Sequence, residues 1–120
     1  MTFKIQYILR MRIKIWGCRG SIPSPGASKD KYGGNTSCVQ ILDDKTCIIL
    51  DGGSGIYNLG ANLHHSIREI HLLLTHLHSD HIIGLGFFLL FYNPKMTIHL
   101  YVPAASKESL TKRMRRYFSP

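Results

Sequence analysis

The sequence predicts an α/β fold, and three observations carry that prediction. Apolar runs of strand length recur at 12–16, 36–42, 46–50, 70–75 and 97–102. Helical spacing is weak over 56–63 and clear over 106–118, where Leu110, Met114 and Phe118 repeat every four residues. Segments rich in Gly, Pro and Asn separate these runs, as expected where the backbone must turn.

Ile13 and Ile15 alternate with Arg12 and Lys14, the period-two pattern of a strand with one buried face, and Trp16 ends it. Gly17–Gly26 holds three Gly and two Pro in ten residues, so it is predicted to be a loop. A second loop at Tyr32–Asn35 precedes the run Thr36–Leu42. Asp43-Asp44-Lys45 then offers a turn into Thr46–Leu50, and the two runs are predicted to form an antiparallel hairpin. Leu50-Asp51-Gly52-Gly53-Ser54-Gly55 is a strand end entering a Gly-rich turn before a helix. Such a turn can cradle phosphate on backbone N–H groups, but neither glycine-rich phosphate-loop pattern is present, so a plain strand-to-helix turn is expected. Ile70–Thr75 is a continuous apolar run of the kind buried on both faces, and Thr97–Val102 is a further strand. Ser106 is the expected N-cap of the last helix, whose polar face carries Lys107, Lys112, Arg113, Arg115 and Arg116.

At 120 residues the chain has room for one small domain. A hydrophobic fraction of 44% against 18% charged excludes disorder over the whole length. Fifteen Lys and Arg against seven Asp and Glu give +8, which favours anionic partners. Cys18, Cys38 and Cys47 form no C-x-x-C pair, which excludes a four-Cys zinc site and argues against a disulfide framework; a reduced, cytoplasmic setting is expected. Gln6 breaks the apolar run of Met1–Met11, and Ile82–Tyr92 is about half of the roughly 20 residues that cross a bilayer, so no membrane association is expected.

Chemistry concentrates in Thr75-His76-Leu77-His78-Ser79-Asp80-His81, directly after an apolar run. Three imidazoles and one carboxylate in six residues are metal-ligand types, and alternation puts His76 and His78 on one side of an extended segment. Asp80 and His81 fall where the chain turns into a helix, placed to serve a second cation. Two divalent ions about 3.5 to 4 Å apart can hold both the entering and the leaving oxygen of a displacement. A His and Asp donor set favours an open, catalytic metal over the closed Cys-rich structural kind. His64, His65, His71 and His99 are read as ordinary side chains, the last two packed within strands.

The pattern of His76, His78, Asp80 and His81 resembles the H-x-H-x-D-H signature of the metallo-β-lactamase-fold hydrolases. Trp16–Gly26, Tyr32–Cys38 and Leu50–Gly55 resemble segments of its phosphodiesterase branch, which includes the tRNA 3′-end-processing ribonuclease and cyclic-nucleotide phosphodiesterases. The resemblance implies the N-terminal half of an αββα sandwich over 11–120, with 1–10 as an N-terminal extension. It implies two zinc ions, manganese or iron being acceptable to the same donors: His76 and His78 on the first, Asp80 and His81 on the second. It also gives Asp80 the proton of the attacking water, and Asp51 a position supporting the ligands from behind. The implied substrate is a phosphodiester, RNA or a nucleotide, with Arg19 and the glycine-rich loops at the pocket rim, and members of the branch pair as homodimers. The family's further His, bridging Asp and last His have no counterparts after His81, where His99 is the one histidine and no Asp occurs. A truncated domain is therefore expected, and an inactive remnant or a basic nucleic-acid-binding fragment using 107–116 is the alternative.

Overall fold

The computed structural model describes residues 11–43, 46–103 and 107–118. Met1–Arg10, the tip of the 43–45 turn and the Ser106 cap lie outside the described residues, as do the side chains of Leu110, Met114 and Phe118. In chain order the elements are β1 (Arg12–Gly17), β2 (Cys38–Asp43), β3 (Thr46–Leu50), α1 (Gly55–Asn62), β4 (Glu69–Leu73), α2 (Ser79–Ile82), β5 (Thr97–Tyr101) and α3 (Lys107–Phe118). Single 3-10 turns occupy Ala27–Lys29, Leu85–Phe87 and Leu89–Tyr92.

The strands form one mixed sheet in the order β1-β2-β3-β4-β5. β1, β2 and β3 pair antiparallel, while β4 runs parallel to β3 and β5 parallel to β4. The change of sense follows from the connections, since a short turn joins β2 to β3 whereas parallel neighbours need a long crossover. α1 supplies the first crossover, and the segment from α2 through the 3-10 turns supplies the second.

Register fixes what each face carries. Gln40 lies opposite Ile49, and Ile49 opposite Leu72, so these residues share a face with Cys38, Cys47 and Ile70. That face is covered by Ile56 and Leu59 of α1 and by Leu85 and Phe88, all buried. Ile56 and Leu59, three positions apart on α1, are the apolar stripe that docks it.

The opposite face is open among the described residues. Ile13 and Ile15 were expected to be the buried side of β1, yet they are 62% and 63% exposed. β1 is an edge strand, and it is Lys14 and Trp16 that turn toward the covered face. Lys14 Nζ sits 3.7 Å over the Trp16 ring, and Trp16 Nε1 donates to Gln40 Oε1 at 3.0 Å. β4 departs from expectation in the same way: Ile70, Leu72 and Leu74 are buried, but His71 and Leu73 between them are only half-buried. The run is apolar throughout, but in the described chain only one of its faces meets a helical layer.

Burial of the two core thiols has a consequence that can be measured. Burial, aided by the Asp51 carboxylate and by Cys47, pushes the Cys38 thiol up to about 12, and burial raises Cys47 as well. In the unfolded chain a thiol ionises near 8.5, so above that pH the unfolded state releases a proton that the folded state keeps. Stability from this source is complete below pH about 8.5 and falls as pH rises toward 12, by about 1.4 kcal/mol per pH unit for Cys38 alone. Urea unfolding at a series of pH values is expected to show this decline, and Cys38→Ala to flatten it by that amount.

Candidate metal centre

β4 ends at Leu73, and the chain leaves the sheet at Thr75. His78 keeps an extended backbone (φ −70°, ψ 151°) as the N-cap of α2, and Ser79–Ile82 then closes one helical turn. The structure thereby brings all four motif residues onto one short segment at the C-terminal end of the sheet. The His76 ring lies 4.5 Å from that of His78 and 4.0 Å from that of His81, centre to centre. His81 Nε2 is 3.5 Å from Asp80 Oδ2.

Asp51 organises this segment. It follows β3, is 5% exposed, and its carboxylate is an acceptor for three other residues. Oδ1 accepts the Thr75 N–H at 2.8 Å and the Thr75 hydroxyl at 2.9 Å. Oδ2 lies 2.8 Å from His81 Nδ1 and accepts Ser37 Oγ at 3.3 Å. Because a carboxylate can only accept, Nδ1 of His81 is the donor, and in the neutral ring the lone pair a metal takes is then on Nε2. The Thr75 hydroxyl, donating to Asp51, accepts in turn from His76 Nδ1 at 3.0 Å. His76 is thereby fixed in the same tautomer. One buried carboxylate sets two imidazoles, one directly and one through a threonine.

The backbone around Asp51 shows what that placement requires. Asp51 has φ 63°, in the left-handed region that Asp tolerates better than most residues. Gly53 follows in a space with no room for a side chain: a Cβ there would stand 2.4 Å from the Asp80 carbonyl oxygen, 2.5 Å from Thr36 Oγ1 and 2.6 Å from the Ser37 carbonyl oxygen. The turn is clamped by a reciprocal pair in which Thr36 N–H donates to Ser54 Oγ at 3.0 Å and Ser54 N–H to Thr36 Oγ1 at 2.8 Å. The Gly-rich turn therefore packs against the motif through its backbone.

Two loop residues complete the geometry. Ser21, at φ 72°, donates its N–H to Asp80 Oδ2 at 3.1 Å. That bond is the chief reason the Asp80 carboxyl lies below the usual carboxylate range. Arg19, expected at the rim, lines a cavity of about 250 Å³ with Lys29, Lys31 and Tyr32. Sequence reasoning missed Thr75 and Ser21. Thr75 adjoins the motif and was legible in principle as a hydroxyl beside a ligand, whereas nothing local signals a contact spanning the 59 positions from Ser21 to Asp80.

Residues 24–116 match the family model for the anti-Pycsar protein Apyc1. The chain belongs to that family. Its fold is the metallo-β-lactamase fold, as two solved structures show. It aligns with the metallo-β-lactamase-fold protein YhfI from Bacillus subtilis at a TM-score of 0.62 and 23% identity, over 85% of this chain and 40% of that one. With a diphosphatase from the PhnP family the TM-score is 0.66 at 18% identity, over 90% of this chain and 47% of the other. A curated relative, the uncharacterized protein ML1173 of Mycobacterium leprae (strain TN), is 33% identical over 75 residues, 62% of this chain and 24% of the relative. This member of the Apyc1 family thus spans about a quarter of that relative and less than half of the two structures. No helix among its described residues is long and apolar enough to cross a membrane.

Proposed function

We propose that this chain carries the metal-ligating segment of a hydrolase that cleaves phosphodiester bonds, in RNA or in a cyclic nucleotide. The observation that carries the reading is the hydrogen-bond chain from buried Asp51 to His81 and, through Thr75, to His76. It presents two Nε2 lone pairs beside His78 and Asp80, and such a nitrogen and oxygen donor set fits zinc, manganese or iron. His76 and His78 would hold one ion, and Asp80 and His81 a second. Bound there, divalent metal supplies Lewis acidity toward a phosphoryl oxygen and lowers the pKa of water.

The chain's own residues do the rest. The Ser21 N–H holds Asp80 in place and favours its ionised form. Ionised Asp80 is thereby placed as an acceptor for the proton of an attacking water. Arg19, Lys29 and Lys31 put positive charge on the adjoining loop, suited to an anionic substrate. The family match favours the cyclic-nucleotide arm of this reading, and the relation to a diphosphatase of the same fold agrees with phosphoryl chemistry.

The test joins metal content to turnover. Purified chain loaded with zinc is expected to hydrolyse bis-p-nitrophenyl phosphate, and His78→Ala to lower both zinc affinity and rate by on the order of 100-fold or more. Undiminished hydrolysis by that variant would contradict the assignment.

A further inference from the structure

A second group of metal-ligand side chains lies on the open face of the sheet, away from the segment described above. Glu69 and His71 are two apart on β4 and so share a face, and His99 is the register partner of His71 on β5. Parallel pairing stacks the two imidazoles, with ring centres 4.8 Å apart and planes 12° from parallel. Both Nε2 atoms address one carboxylate oxygen: Nε2–H of His99 donates to Glu69 Oε1 at 2.8 Å, the proton a metal ion would replace, and His71 Nε2 lies 3.7 Å from the same oxygen. Among the described residues this is the one group of His, Cys, Asp or Glu whose three donor atoms all lie within 4.8 Å of one another. The pair had been expected to pack within strands; instead both rings stand on the uncovered face, half-buried at His71 and more open at His99.

We infer that Glu69, His71 and His99 form a separate zinc-binding site bridging β4 and β5. Two imidazole nitrogens and a carboxylate oxygen are an ordinary zinc donor set, leaving one tetrahedral position for water. Zinc bonds of about 2.0 to 2.1 Å place tetrahedral donors roughly 3.3 Å apart, and the separations of 2.8 and 3.7 Å from Glu69 bracket that value. The fourth residue of the group supports the assignment. Tyr101, two positions beyond His99, puts its hydroxyl 3.0 Å from His71 Nδ1. When Nδ1–H of His71 donates to that hydroxyl, its Nε2 is left to ligate, the arrangement by which outer partners fix a metal-binding histidine. The site sits on strands rather than on a loop, so its donors are held by the sheet ladder itself.

The inference is independent of the proposed hydrolytic function and is tested where that function is removed. In a His76→Ala/His78→Ala background, equilibrium dialysis against zinc alone at neutral pH is expected to leave one zinc per chain. His99→Ala should abolish that zinc, and Tyr101→Phe should weaken it by about 10-fold. Glu69→Gln, a near-isosteric change at an exposed position, gives a second reading if His99→Ala fails to fold, and it should weaken binding by at least about 10-fold. On the same background, zinc should shift the imidazole nitrogen resonances of His71 and His99 together. Less than about 0.2 zinc per chain, or a stoichiometry and affinity unchanged by both His99→Ala and Glu69→Gln, would overturn the inference.

Discussion

Asp51→Ala is expected to weaken zinc binding at His76–His81 by 10- to 100-fold and to destabilise the chain by about 3 kcal/mol. The stability loss has two named sources. The Thr75 N–H loses its carboxylate acceptor, at about 1 to 3 kcal/mol, and alanine must adopt the left-handed backbone of this position, at about 1 to 2 kcal/mol. The affinity loss has a different origin: His81 and Thr75 no longer have the anion that fixes where their protons sit. Asp51→Asn separates the two effects. Asparagine tolerates the backbone and can still accept the Thr75 N–H, so most of the stability should return. Its neutral amide cannot impose the same tautomer on both histidines, so zinc affinity should stay reduced by at least about 10-fold. Urea unfolding and zinc titration calorimetry on both variants check this pair of outcomes. Wild-type affinity in Asp51→Asn would show that the carboxylate is not what orients the histidines.

Gly53→Ala is expected to be as damaging through sterics alone. Two of the three atoms its Cβ would approach within 3.0 Å are backbone carbonyl oxygens, of Asp80 and Ser37, which no side-chain rotation can withdraw. Overpacking of this kind costs typically about 1 to 3 kcal/mol, and an approach from three sides belongs at or above the top of that range. Because one of those atoms belongs to Asp80, relief of the clash must displace a proposed ligand, so metal affinity should fall with stability. Gly86→Ala serves as the matched control. Its Cβ would meet nothing within 4 Å, and a change within about 0.5 kcal/mol is expected. Equal melting temperatures for the two variants would contradict the packing described for the Gly-rich turn.

The ordering of elements was legible because each rested on a local pattern. The antiparallel hairpin of β2 and β3, the α1 crossover, β4 running into the motif and α3 all lie where periodicity placed them. The motif was legible because its ligands are contiguous, and Asp51 because the resemblance put it behind them. What local pattern does not carry is which face of a strand meets a second layer. Ile13, Ile15, His71 and Leu73 were read as buried from apolar context, but exposure there depends on what packs against the sheet. The Glu69, His71 and His99 group escaped for a related reason, since it exists only once β4 and β5 are paired in parallel and in register. Ser21 and Asp80 meet through tertiary folding alone.

The most direct test of the Asp51 relay is a crystal structure of the zinc-soaked chain with anomalous data at the zinc edge. The expected result is anomalous density at two positions beside α2, one bonded at about 2.0 to 2.1 Å by Nε2 of His76 and the other by Nε2 of His81, with Asp51 still against His81 Nδ1. Absence of density at that segment, or zinc held through Nδ1 of His81 with Asp51 displaced, would contradict it.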